Sequence, residues 1–119
     1  MTDEQFIQSI TSQCIGTHLS ELHLSDNNLT CRATEFLFHQ LQSGKLQMPQ
    51  LRLLDLSHND RLKSTGCMWV AECVRYLPSL ETLDMNETGM DDFAYKQLSQ
   101  VGNHLVSVDT SGNYHSSVI

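Results

Sequence analysis

The sequence predicts an α/β fold, a solenoid of about four short parallel strands on a curved concave face with helices along the convex face. Three observations point there. A spaced pattern of aliphatic residues recurs along the chain, stretches with apolar residues every three or four positions separate the recurrences, and an asparagine holds a fixed place in the pattern.

The first recurrence, LSELHLSDNNL, sets Leu19, Leu22, Leu24, Asn27 and Leu29 in the order L-x-x-L-x-L-x-x-N-x-L. LRLLDLSHNDRL repeats it with Leu51, Leu54, Leu56 and Asn59, then reaches Leu62 after one extra residue, Asp60 or Arg61. LETLDMNETGM supplies Leu80, Leu83, Met85 and Met90, with Thr88 where asparagine is expected. LVSVDTSGNYH keeps Leu105, Val108 and Asn113 but puts Thr110 and His115 at apolar positions. The starts at Leu19, Leu51, Leu80 and Leu105 give intervals of 32, 29 and 25 residues. The extra length of the first interval falls in QSGKLQMPQ, residues 42–50, which its glycine and proline mark as a loop.

Alternation at the strand positions turns Leu22 and Leu24 to one side and Glu21, His23 and Ser25 to the other, so one face is core and the other open surface. The helices that cover the inward leucines show themselves as stripes: Phe6, Ile7, Ile10 and Cys14; Ala33, Leu37 and Leu41; Val70, Cys73, Val74 and Leu77; Ala94, Leu98 and Val101. One such unit cannot bury its apolar face alone, so neighbours stack and their strands pair in parallel. Where each strand turns toward its helix the backbone amides lose their ladder partners, and the side-chain amides of Asn27, Asn59 and Asn113 are placed to replace them. Asn28 is expected simply to face solvent. Thr88, with only a hydroxyl, predicts a looser third turn.

This pattern resembles the leucine-rich repeat family. The stretch LKSTGCMWVAECVRYLPSL, from Leu62 to Leu80, is similar to the helical half of the ribonuclease-inhibitor-like subfamily. Aligned on it, Met1, Leu29, Leu62 and Met90 share one column and Gln5, Ala33, Gly66 and Ala94 the next, so the chain opens half-way through a repeat. The resemblance implies one domain over residues 1–113, followed by a polar tail over 114–119. It also implies that the protein works by binding another macromolecule, as members of that subfamily do.

With 119 residues and 39% hydrophobic content the chain has room for one soluble domain. Its start carries acidic residues where a secretory signal carries basic ones, and no segment reaches ~18 uninterrupted apolar residues, so an intracellular, cytoplasmic protein without a membrane span is expected. Seven Lys and Arg against fourteen Asp and Glu give a net charge of −7, which disfavours nucleic acid and anionic lipid and favours a basic partner. Cys14, Cys31, Cys67 and Cys73 lack zinc-ligand spacing and read as reduced, packed thiols, with Cys67 and Cys73 on different faces of one helix. The six histidines include no i, i+4 pair on a helix. No metal, cofactor or catalytic constellation is expected, and the protein is not read as an enzyme.

The predicted concave face is ordered in columns. Its centre is His23, Asp55, Asp84 and Asp109; one flank is Glu21, Leu53, Thr82 and Ser107, and the other Ser25, Ser57, Asn86 and Ser111. Three carboxylates in a row repel one another and attract Lys, Arg or a cation, so the leading expectation is a protein-interaction module that lays a partner's basic segment across the strands. The loops at 25–28, 57–61 and 86–89 adjoin that surface. Two alternatives accompany it: an assembly element that uses its terminal strands, as a homodimer or as the terminal part of a longer array, and a regulatory subunit of an enzyme. The ending Ser117-Val118-Ile119 resembles a ligand of PDZ domains.

Overall fold

A computed structural model describes residues 1–12 and 18–113. Helices and strands alternate: α1 (Asp3–Ser12), β1 (Glu21–His23), α2 (Cys31–Ser43), β2 (Leu53–Asp55), α3 (Lys63–Val74), β3 (Thr82–Asp84), α4 (Asp92–Val101) and β4 (Ser107–Asp109). The four strands form one parallel sheet in the order β1-β2-β3-β4. Each helix packs against the next in sequence. Among the described residues no helix is long and apolar enough to cross a membrane.

The alternation of side chains fixes the register. Leu22, Leu54, Leu83 and Val108 are paired in one row. Two residues further on, Leu24, Leu56 and Met85 donate their amides to the carbonyls of Asp55, Asp84 and Asp109, and they are 4%, 1% and 0% exposed. A one-residue slip would turn these aliphatic side chains outward, so burial itself specifies the pairing. The helical stripes close the other side of the core: Phe6, Ile10, Leu37, Val70, Val74, Leu77 and Leu98 are all buried. Cys14 and His115 lie outside the described residues.

Small residues let the helices approach. Ala33, Gly66 and Ala94 are buried in one column, and a Cβ at Gly66 would stand 3.0 Å from the Leu62 side chain and 3.4 Å from the Cys31 Cα. Gln5, their counterpart in α1, is exposed. Side chains latch neighbouring helix starts together. Thr30 caps α2 and gives its amide and hydroxyl to the Asp3 carboxylate, while Asp91 caps α4 and accepts from Ser64 Oγ at 2.9 Å.

The segment 42–50 differs from the expected loop in two respects. Helix α2 takes its first two residues and stops at Gly44, whose φ of 81° an L side chain resists. The remainder contributes to the core, with Leu46 6% and Met48 2% exposed. Such burial stabilises by about 1.5–3 kcal/mol per side chain, which explains why a long connection is held in place.

Candidate functional site

The open face of the sheet carries the columns in register. Glu21, Leu53, Thr82 and Ser107 stand side by side, and so do His23, Asp55, Asp84 and Asp109. The third column continues past the strands, because the amides of Asp26, His58 and Glu87 donate to the carbonyls of Ser57, Asn86 and Ser111.

The carboxylates also have a local role. Asp55 Oδ1 accepts from Ser57 N at 2.9 Å and Ser57 Oγ at 2.7 Å, Asp84 Oδ1 from Asn86 N at 3.0 Å, and Asp109 Oδ1 from Ser111 N at 3.0 Å and Ser111 Oγ at 2.8 Å. Each Asp thus holds the turn that follows its strand. At Asp109 these bonds, the Ser111 amide first and its hydroxyl second, keep the carboxyl below its ordinary range. Ser57 is drawn inward and only 5% exposed, so its hydroxyl serves the turn.

His23 is the one residue of the central column able to carry positive charge. Its Nε2 lies 2.9 Å from Glu21 Oε1 and its Nδ1 3.9 Å from Asp55 Oδ2. The hydrogen bond to Glu21, with smaller contributions from the Glu21 and Asp55 charges, raises its pKa above the usual 6.5.

Beyond the columns the chain turns sharply. Asp26, His58 and Glu87 adopt φ of 56°, 59° and 53°, and Gly112 takes 71° at the corresponding place. These turns rim a cleft of about 510 Å³ lined by Asp26, Asn28, His58, Asp60 and Glu87 together with Gly89 and Gly112. His58 Nδ1 is 2.5 Å from Glu87 Oε2, which bridges adjacent turns. Asn28 is exposed, and its φ of 55° adds a reason for the residue type, since asparagine tolerates the left-handed region better than most side chains. Asp26 and Glu87 share no residue type with His58 or Gly112, so only their place after the third column could have grouped them.

Under the rim, Asn59 is 0% exposed. Its Oδ1 accepts from Asn27 N at 2.9 Å and Leu29 N at 3.0 Å, and its Nδ2 donates to Leu24 O and Leu56 O, both at 2.9 Å. Asn113 does the same one end along: Oδ1 accepts from Thr88 N and Met90 N at 2.9 Å, and Nδ2 donates to Met85 O at 2.8 Å and Thr110 O at 2.9 Å. The amide oxygen therefore serves the turn before its own. Asn27 Oδ1 accepts from the Met1 ammonium at 2.9 Å.

The buried thiols are poor nucleophiles. Burial pushes Cys67 up to about 11, against a smaller downward effect of the Thr88 hydroxyl, and burial likewise raises Cys73. Their sulfurs point to different neighbours, Cys67 to Thr88 and Cys73 to the Thr34 carbonyl. Among the described residues no group of three or more His, Cys, Asp or Glu is arranged to hold a metal ion. Neither a family model nor a curated protein sequence matches this chain.

Proposed function

We propose that this chain is a short leucine-rich repeat solenoid of the ribonuclease-inhibitor-like kind, and that its concave strand face binds another protein through a basic segment. What supports the solenoid is the regularity of the stacking: each strand pairs in parallel with the next, and each helix packs on the next. The observation that carries the binding reading is the row of Asp55, Asp84 and Asp109 on three adjacent strands. Parallel strands bring corresponding residues to about 4.8 Å, so the row concentrates negative charge on an open surface with few cations to neutralise it. The hydrogen bonds that hold the turns all use Oδ1, so the Oδ2 atoms of Asp84 and Asp109 are not engaged in them and can meet a partner's lysine or arginine, while Asp55 Oδ2 already lies 3.9 Å from His23 Nδ1. A shallow, solvated face of this kind suits binding rather than catalysis, which needs an enclosed site.

The test uses Asp55→Asn, Asp84→Asn and Asp109→Asn combined. Asparagine keeps a side-chain oxygen for the turn and removes the charge. The expected result is that the native protein captures basic proteins from cell extract in a salt-sensitive manner and the triple variant, equally stable to heat, loses them. An unchanged set of captured proteins would end the concave-face reading.

A further inference from the structure

The concave face presents side chains rather than backbone. The amides and carbonyls of β2 and β3 point sideways into the parallel pairing with their neighbours, so a partner that lies across the strands meets only what the columns offer. An extended segment laid there holds its own amides and carbonyls against a surface with no matching ladder. A helix avoids that cost, because its backbone groups pair internally.

Spacing points the same way. Asp55, Asp84 and Asp109 stand on three successive strands about 4.8 Å apart, so the row spans about 9.6 Å. Residues i, i+3 and i+7 of a helix share one face and lie about 4.5 and 10.5 Å along its axis, close to the steps of the row. Alternate residues of an extended chain step by about 6.6 Å, and three of them span about 13 Å, overshooting the row by most of a strand spacing. The neighbouring columns differ in charge. On the side of the strand starts stand Leu53, Thr82 and Ser107, all uncharged, with Leu53 half-buried. On the side of the strand ends lies the cleft of about 510 Å³, whose lining includes the carboxylates of Asp26, Asp60 and Glu87.

We infer that the partner's basic segment is an amphipathic helix lying across the strands, with lysine or arginine at i, i+3 and i+7 over Asp55, Asp84 and Asp109. This rests on the concave-face reading above and states the conformation and pattern that the face selects. The helix turns further basic side chains toward the cleft and uncharged ones toward Leu53 and Thr82, so its two flanks are as unlike as the two columns they meet. His23, whose Nε2 lies 2.9 Å from Glu21 Oε1, continues the central column at β1 and receives no basic residue. The basic stripe is therefore two turns long on that face.

Three labelled peptides of equal length and net charge test this on the native protein by fluorescence anisotropy at fixed low salt. The first is an alanine-rich helix with lysines at i, i+3 and i+7. The second is the same helix with lysines at i, i+5 and i+10, which spreads them around the axis, and the third is a threonine- and valine-rich extended peptide with lysines at alternate positions. The first binds about tenfold tighter than either of the others, and the variant combining Asp55→Asn, Asp84→Asn and Asp109→Asn binds all three alike. Thr82→Lys, which adds a cation beside Asp84 and leaves every turn bond in place, weakens the first peptide about three- to tenfold and serves the same purpose if the triple variant is unstable. A first peptide bound no tighter than the second, or an extended peptide bound best, overturns the helix; where the triple variant or Thr82→Lys still weakens that binding, the concave-face reading survives the loss. If no peptide shows binding that these substitutions weaken, both fall.

Discussion

Asn59 and Thr88 occupy the same place in successive turns, and they hold the molecule together by different means. Asn59 reaches across the seam, joining its own turn to Leu24, Asn27 and Leu29 in the unit before. The Thr88 hydroxyl donates to Met85 O at 2.9 Å within its own unit, and it also meets Asn113 Oδ1 at 3.3 Å and Cys67 Sγ at 3.4 Å. At that seam the backbone provides the link: Lys63 N donates to Thr88 O at 2.8 Å, and Gly89 fits closely over the Asp60 carbonyl. A side chain that satisfies several buried groups at once is harder to replace than a main-chain contact, so the two seams should respond differently to mutation.

The largest effect is expected at Asn59. Replacement by alanine strands the buried Leu29 amide and the Leu24 and Leu56 carbonyls, and stability should fall by about 3–5 kcal/mol in urea unfolding. Asn113→Ala severs an equivalent set of bonds but in a half-exposed turn, where water can take over, so it should cost only about 1–2 kcal/mol. Equal losses at the two positions would mean that shielding from water does not decide what this amide contributes.

Gly89→Ala should come next, because the Thr88 seam depends on a missing side chain. Gly89 has φ of 76°, and an added Cβ would stand 2.8 Å from Asp60 O and 3.2 Å from the Lys63 Cα. Both are main-chain atoms that cannot rotate away. Left-handed strain and overpacking together should lower stability by about 2–4 kcal/mol, read as an earlier urea midpoint at unchanged slope. A midpoint within experimental error of native would show that the Asp60–Lys63 turn yields freely, and the contrast between the seams would lose its basis.

These two sites also mark what could be read from the amino-acid order. The strand columns were legible because a two-residue period admits one buried register, and Leu24, Leu56 and Met85 lie where that period puts them. The need for a buried amide after each strand was legible too, from the loss of ladder partners. Its direction was not, since whether Asn59 serves its own turn or the one before depends on how units stack. Gly89 was silent because its neighbours, Asp60 and Lys63, come from the preceding unit and its one-residue insertion. On the open face, the row of His23, Asp55, Asp84 and Asp109 followed from alternation, whereas the inward turn of Ser57 depends on where one Asp55 oxygen points. Leu46 and Met48 were hidden by the glycine and proline around them, which announce a loop but not which loop residues are buried.

The smallest effect, and the finest comparison, concerns Thr88→Asn. An asparagine there gains an oxygen able to reach the Asn59 turn, as Asn59 reaches the Asn27 turn, and the expected change is neutral or stabilising by about 0.5–1.5 kcal/mol. What limits the gain is Cys67, whose protonated sulfur lies 3.4 Å from the Thr88 hydroxyl in a site with no exposure to solvent. Cys67→Ala alone removes packing and leaves a small void, so it should destabilise. In the double variant the void accepts the longer side chain, and the two changes should be more favourable together than their sum by about 1 kcal/mol. A double-mutant cycle in urea measures that coupling directly. Effects that simply add would show that Cys67 does not set the size of this position, and that threonine stands there for a reason other than the space its neighbour leaves.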